Sequence, residues 1–188
     1  MFKKALPNQD VNPEYDKLIN QSITCRGTIL HHICLLELCL NVYIAYHFCG
    51  KNRKKIEEMI LLMLGDERMT LSAKAQVFYG IGTTHNKQWY ESYKSFRVHP
   101  DKKKTYSMNN DLVYSIEERN VFAHRILDKG DLIDNVPLPK GIIRFARLKN
   151  DYETLDYDER KYHELERTIL NLTAHFFEVI GGLVKELG

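Results

Sequence analysis

Residues Leu165 to Leu187 read LERTILNLTAHFFEVIGGLVKEL, and Leu165, Ile169, Leu172, Phe176, Val179, Leu183 and Leu187 recur every three or four residues. That period belongs to an α-helix with one apolar side, and it predicts a closing helix from Asp158 to Leu187. A stripe this long has to be buried against an element of similar length. The obvious partner is the stretch beginning near Ser22 or Thr24, where Arg26, Leu30, Ile33, Glu37, Leu40 and Ile44 follow at spacings of 4, 3, 4, 3 and 4 up to Gly50. Asn12-Pro13 marks the start of a shorter helix before it. We expect the two long helices to pair antiparallel at the heart of a bundle.

The segments between them read as shorter elements. Arg53 to Leu64 is a helix with Ile56, Met59, Ile60 and Met63 inward, stopped by Gly65-Asp66. Leu71 to Tyr79 is another, followed by Gly80-Ile81-Gly82. Trp89, Tyr93 and Phe96 stand at helical spacing and read as core rather than as a platform for stacked bases. Asn109 or Asn110 caps a helix that carries Leu112, Ile116, Arg119, Ala123 and Leu127 down one side. Gly130 to Gly141 is a loop with two prolines, and Ile142 to Leu148 and Tyr152 to Tyr157 alternate like a β-hairpin around Asn150-Asp151. The fold class predicted is all-α: an up-and-down bundle of four to five helices, with a small β-hairpin before the last helix, in one domain spanning 1–188.

Composition narrows the function classes. The 188 residues are 44% hydrophobic and 28% charged, which fits one globular domain. A formal net charge of +2 gives no basic field over the whole molecule, so contact with nucleic acid would have to be local. Two short basic clusters, Lys51 to Lys55 and Lys102 to Lys104, read as solvated loops. The N-terminal Met1-Phe-Lys-Lys-Ala-Leu-Pro lacks the apolar region of a signal peptide. The longest apolar run, Ile29 to Cys49, is interrupted by His31, His32, Glu37, Asn41 and His47, so a cytoplasmic protein without membrane contact is expected. Cys25, Cys34, Cys39 and Cys49 lie on one helix, too far apart to join, and are expected to be reduced thiols. A metal site at His31, His32 and Cys34 would need ligands pointing around the whole helix, so neither a metal nor another cofactor is expected.

Glu117 to Arg125, EERNVFAHR, places an arginine, an asparagine and a histidine beside core positions. Asn120 and His124, four apart, are neighbours on a helix, whereas Arg119 and His124 differ by roughly 140° in direction. A long arginine side chain can sweep around that angle and meet the imidazole at one phosphodiester. There histidine would take a proton from a ribose 2′-hydroxyl or give one to the departing 5′-oxygen, arginine would hold the phosphoryl oxygens, and Asn120 would orient the ring. The internal nucleophile makes a metal unnecessary, and the products would be a 2′,3′-cyclic phosphate and a 5′-hydroxyl. A purely structural alternative pairs Arg119 with Glu37, and Asn120 with His124, as satisfied polar groups at a helix interface.

Arg119-Asn120-Val-Phe-Ala-His124 resembles the R-[polar]-x-x-x-H signature of the HEPN superfamily, helical domains of higher eukaryotes and prokaryotes named for nucleotide binding. The placement is similar too: an acidic residue, Glu37, on a long first helix, the motif late in the bundle, then a long closing helix. The resemblance implies a homodimer in which two motif helices line one cleft, and a metal-independent endoribonuclease of the kind found among toxins and phage-defence proteins. RNA or a nucleotide would be the ligand and an antitoxin protein a further partner. By the same resemblance Arg119, Asn120 and His124 would be catalytic, Glu37 an acidic positioning group, and Arg125 and Arg26 phosphate contacts. Arg125 departs from the small residue that often follows the histidine. The alternative within the family is a non-catalytic module that binds a nucleotide or a protein.

Overall fold

A computed structural model describes residues 13–128, 141–147 and 153–185. Helix α1 runs unbroken from Pro13 to Cys49. Neither Ser22 nor Thr24 starts a helix of its own: Ser22 is buried inside α1, and the Thr24 hydroxyl donates back to the Asn20 carbonyl at 3.0 Å. Gly50, at φ 58°, turns the chain out of α1. The side chain of Asn52 accepts from the Lys55 amide and starts α2, Arg53–Met59.

Helix α2 ends in a π-helical turn, Ile60–Leu64, closed by the Gly65 amide on the Ile60 carbonyl at 2.7 Å. A π turn adds one residue to the repeat, so the inward position moves from Met63 to Leu64. Leu64 is buried and Met63 is 53% exposed, which corrects the expected inward set.

Thr70 caps α3, Leu71–His85, which continues through the glycines expected to end it. Gly82 is there for space: a Cβ would lie 2.5 Å from the Tyr90 ring. Tyr90 belongs to the short α4, Lys87–Ser92. The aromatic run packs through Trp89, Tyr90 and Tyr93, while Phe96 is 59% exposed. Helix α5, Met108–His124, begins at Ser107 rather than at Asn109 or Asn110, with Asn110 returning the bond in a capping box. It stops at His124, and Leu127 falls instead in a short strand, β1, Ile126–Asp128.

Strands β2, Ile143–Arg147, and β3, Glu153–Tyr157, form the expected hairpin. Its turn, at Asn150-Asp151, and most of the Gly130 to Gly141 loop lie outside the described residues. β1 pairs antiparallel with β2, Leu127 opposite Phe145, so the sheet has three strands in the order β1-β2-β3. The fold is therefore mostly helical, as expected, and the expected hairpin is widened by β1 into a small three-stranded antiparallel sheet. The strand was hidden because three residues of "ILD" carry no alternation of their own.

Helix α6, Glu159–Lys185, buries Leu165, Ile169, Leu172 and Phe176 as its stripe requires; Leu183 and Leu187 lie outside the described side chains. Its main partner is α1, as expected, but the direction is the reverse. His32 lies 3.7 Å from Glu166, and Tyr43 meets Phe176 at 5.9 Å between ring centroids. Contacts that climb together in both helices make the pair parallel. Helix α3 also follows α1, since Glu37 pairs with Lys74 and His47 meets His85. Helix α5 runs against α6: Glu118 accepts from the Tyr157 hydroxyl at one end, and Asp111 connects through Tyr93 to His175 at the other. With the short α4 set aside, direction alternates along α1, α2, α3, α5 and α6, and the first and last of these five point the same way. The buried face of α1 turns accordingly to Ile29, Ile33, Leu36, Leu40 and Tyr43, leaving Leu30 half-buried. By length and composition the span Asp16–Cys49 could cross a membrane; here half of its most apolar window is covered by the other helices.

Two glycines give opposite expectations. Gly80→Ala meets nothing within 4 Å and should raise stability by about 0.5–1 kcal/mol, because alanine restricts the unfolded chain. Gly82→Ala must displace the Tyr90 ring and should lower it by about 1–3 kcal/mol. Urea denaturation of the two variants checks the packing of α3 on α4.

Buried tyrosines set an alkaline limit. Burial, with the nearby Tyr79 adding to it, pushes the Tyr90 hydroxyl from its ordinary 10.0 up to about 12. Burial and the adjoining carboxylates raise Tyr93, Tyr114 and Tyr157 as well. The folded state thus holds these protons more tightly than the unfolded one. The Tyr90 contribution to stability should be complete below pH 10 and disappear as pH climbs through 12, seen as a falling urea midpoint that Tyr90→Phe makes shallower.

Candidate functional site on helix α5

The two sides of α5 treat polar residues differently. Inward, Asp111 is fully buried and is satisfied by the Tyr93 hydroxyl at 2.7 Å and by Arg97 at 3.2 Å. Arg97 is held between the rings of Tyr106 and Tyr114, 4.1 and 3.7 Å from their centroids. Val121 and Phe122 enter the core, where Phe122 meets Phe145 and Tyr157 edge-on. Every buried charge on this side has a partner, as its desolvation requires.

Outward lie Val113, Glu117, Asn120 and His124, all exposed and spaced by 4, 3 and 4 residues. That spacing puts them on one face. Arg119, half-buried, points elsewhere on the helical wheel, yet its guanidinium donates to the Asn120 side-chain oxygen at 3.2 Å. That bond joins sequence neighbours, and arginine, asparagine and histidine all belong to the C-terminal part of α5.

The other expected site residues are placed differently. Arg26 donates to the backbone carbonyls of Phe122 at 3.0 Å and Arg125 at 2.7 Å, and its guanidinium lies over the Phe145 ring at 4.6 Å. It satisfies carbonyls that a helix end leaves unpaired. Arg125 is 14% exposed in its side chain and bonds Glu153 of β3 at 2.9 Å. Glu37 pairs with Lys74, itself only 3% exposed. Glu37 thus holds α3, while Asn120 is Arg119's partner, so the interface pairing of Arg119 with Glu37 does not form. No bond joins Asn120 to His124 among the described residues.

Sequence reasoning missed a groove beside the motif. Its volume is about 450 Å³, and it runs between α3 and α5 with Ala75 and Ile116 as its floor. Ser72, Gln76 and Tyr79 form one wall, Asn109, Glu117 and Asn120 the other. It becomes visible only once α3 and α5 are known to be neighbours. The buried Lys74 did leave a trace: it sits on the apolar side of α3 between Leu71 and Phe78, where a lysine needs a counter-charge. Of the basic clusters, Arg53 and Lys54 pair with Glu57 and Glu58, and Lys104 with Asp101. Among the described residues no three His, Cys, Asp or Glu side chains converge as a metal site would require.

Comparison with known proteins finds no matching family model, no similar curated protein and no similar solved structure.

Three substitutions separate scaffold from site. Glu37→Ala, which strands the Lys74 ammonium, should cost roughly 3 kcal/mol of stability. Arg26→Ala, which uncaps two carbonyls, should cost about 2 kcal/mol. Arg119→Ala should change stability by no more than about 0.5 kcal/mol, as an accessible side chain without core partners does. Thermal unfolding of the three variants provides the check.

Proposed function

We propose that the chain is a HEPN-like, metal-independent endoribonuclease that acts in the cytoplasm as a homodimer. The observation that carries the reading is the arrangement at the end of α5, where Arg119 reaches Asn120 on the face that presents His124 to solvent. A histidine doing acid–base work on a polymer has to be accessible, and a phosphate clamp must not be spent on an internal carboxylate.

In the proposed reaction the 2′-hydroxyl oxygen bonds to the adjacent phosphorus as the bond from phosphorus to the 5′-oxygen breaks. The 2′ proton passes to the neutral imidazole of one His124. His124 of the second copy, as imidazolium, donates a proton to the leaving 5′-oxygen. Arg119 holds the non-bridging oxygens, whose charge grows in the transition state. Asn120, its carbonyl oxygen engaged by Arg119, keeps its amide N–H groups for the phosphate or ribose. Arg26, Arg125 and Glu37 serve by position: the first two fix the end of α5, and Glu37 fixes α3 beside it. In a toxin or phage-defence setting, an antitoxin protein would act by covering this end of α5.

The test is cleavage of single-stranded RNA in excess EDTA. Wild type should cut, and His124→Ala and Arg119→Ala should each lose at least about 100-fold in rate while keeping the wild-type melting temperature. Equal cleavage by wild type and His124→Ala, or none by either, rules the activity out.

A further inference from the structure

We infer that the groove between α3 and α5 is a base-binding subsite that seats guanine from the nucleotide adjoining the cleaved bond. The inference rests on the ribonuclease reading for its placement and on the groove itself for its chemistry.

At about 450 Å³ the groove lies within the range of small-molecule sites. Its lining holds one carboxylate, three side-chain amides and two hydroxyls, and no lysine or arginine. Such a lining repels a phosphate and suits a flat, neutral group rich in hydrogen-bonding edges. Tyr79, 48% exposed, supplies a ring face for stacking. That ring is braced edge-on by Tyr90 at 6.1 Å, and Tyr90 is buried against Gly82. The floor of Ala75 and Ile116 is apolar and small, which leaves depth for a planar ring.

Glu117 provides the selectivity. It is exposed at the wall and has no hydrogen bond or ion pair among the described residues. A carboxylate accepts two parallel bonds, and the guanine edge offers two adjacent donors, N1–H and the N2 amino group. Adenine and cytosine each present one amino group there. Uracil presents a single N–H flanked by two carbonyls that a carboxylate repels. Guanine should therefore bind best and uracil worst.

Position along the helix connects the subsite to the chemistry. Glu117, Asn120 and His124 lie on one face, so the helical rise places Glu117 about 10 Å and Asn120 about 6 Å from His124. A nucleoside with its base at Glu117 spans a comparable distance to its own phosphate, which brings that phosphate to Arg119 and His124.

The experiment maps cleavage sites in a mixed-sequence RNA by sequencing both new ends, for wild type and Glu117→Gln. Wild type should cut at least tenfold more often next to guanosine than next to uridine. Glu117→Gln, which sets an amide donor against the guanine donors, should erase most of that preference while still cutting. Cutting without base preference, or a guanosine preference unchanged in Glu117→Gln, overturns the subsite and leaves the ribonuclease standing. Calorimetry with the four 5′-mononucleotides judges the groove without any catalysis. Guanosine monophosphate should bind at least tenfold tighter than uridine monophosphate in wild type but not in Glu117→Gln. Tyr79→Ala should weaken all four nucleotides alike. Equal binding of the four by wild type, or binding of none, overturns the inference even if the RNA is cleaved.

Discussion

One guanidinium determines where the site can be. Arg26, early on α1, bonds the carbonyls of Phe122 and Arg125 and so fixes the place where α5 stops. The donor is a guanidinium, so the bonds are charge-assisted, and the carbonyls have no partner within the helix to replace it. The chain leaves α5 at Arg125 in extended geometry and enters β1 at once, which brings Phe122, Phe145 and Tyr157 together under the sheet. His124 is left as the last helical residue, facing water. Loss of that cap would free the end of α5, and with it the spacing between Glu117, Asn120 and His124.

The same helix shows how a polar sequence can still be a core element. Its inward carboxylates are consumed: Asp111 by Tyr93 and Arg97, Glu118 by the Tyr157 hydroxyl. These pairs join α5 to the sheet and to the segment before it, which rigidifies the helix from behind. Its outward residues, Val113, Glu117, Asn120 and His124, face solvent. Bracing of that kind holds the exposed side chains on a fixed frame, which is what the proposed chemistry would require.

Much of the fold was legible because hydrophobic period reports burial directly. The stripe of α6, the α1 partnership and the β2–β3 hairpin all followed from it. Direction did not, since a stripe fixes which face is covered and not which way the covering helix runs; the parallel pairing of α1 and α6 depends on the count of helices between them. The π turn after α2 and the continuation of α3 through Gly80 and Gly82 were hidden for a related reason. Both depend on a tertiary contact, Leu64 entering the core and the Tyr90 ring filling the space of a missing Cβ. At the site, Arg119, Asn120 and His124 were readable as a local motif. The places of Arg26 and Glu37 were not legible, because each takes its partner from far away in the chain: carbonyls at the end of α5 and a lysine on α3.

The central claim is that His124 and Arg119 promote attack by a ribose 2′-hydroxyl, and the products test it most directly. Mass spectrometry of a short RNA and of the same oligonucleotide with 2′-deoxyribose at the cleaved position, both incubated with the protein in EDTA, should show a 2′,3′-cyclic phosphate and a 5′-hydroxyl from the first and intact substrate from the second. Cleavage of the deoxy-substituted strand, or linear phosphate ends from the outset, would contradict it.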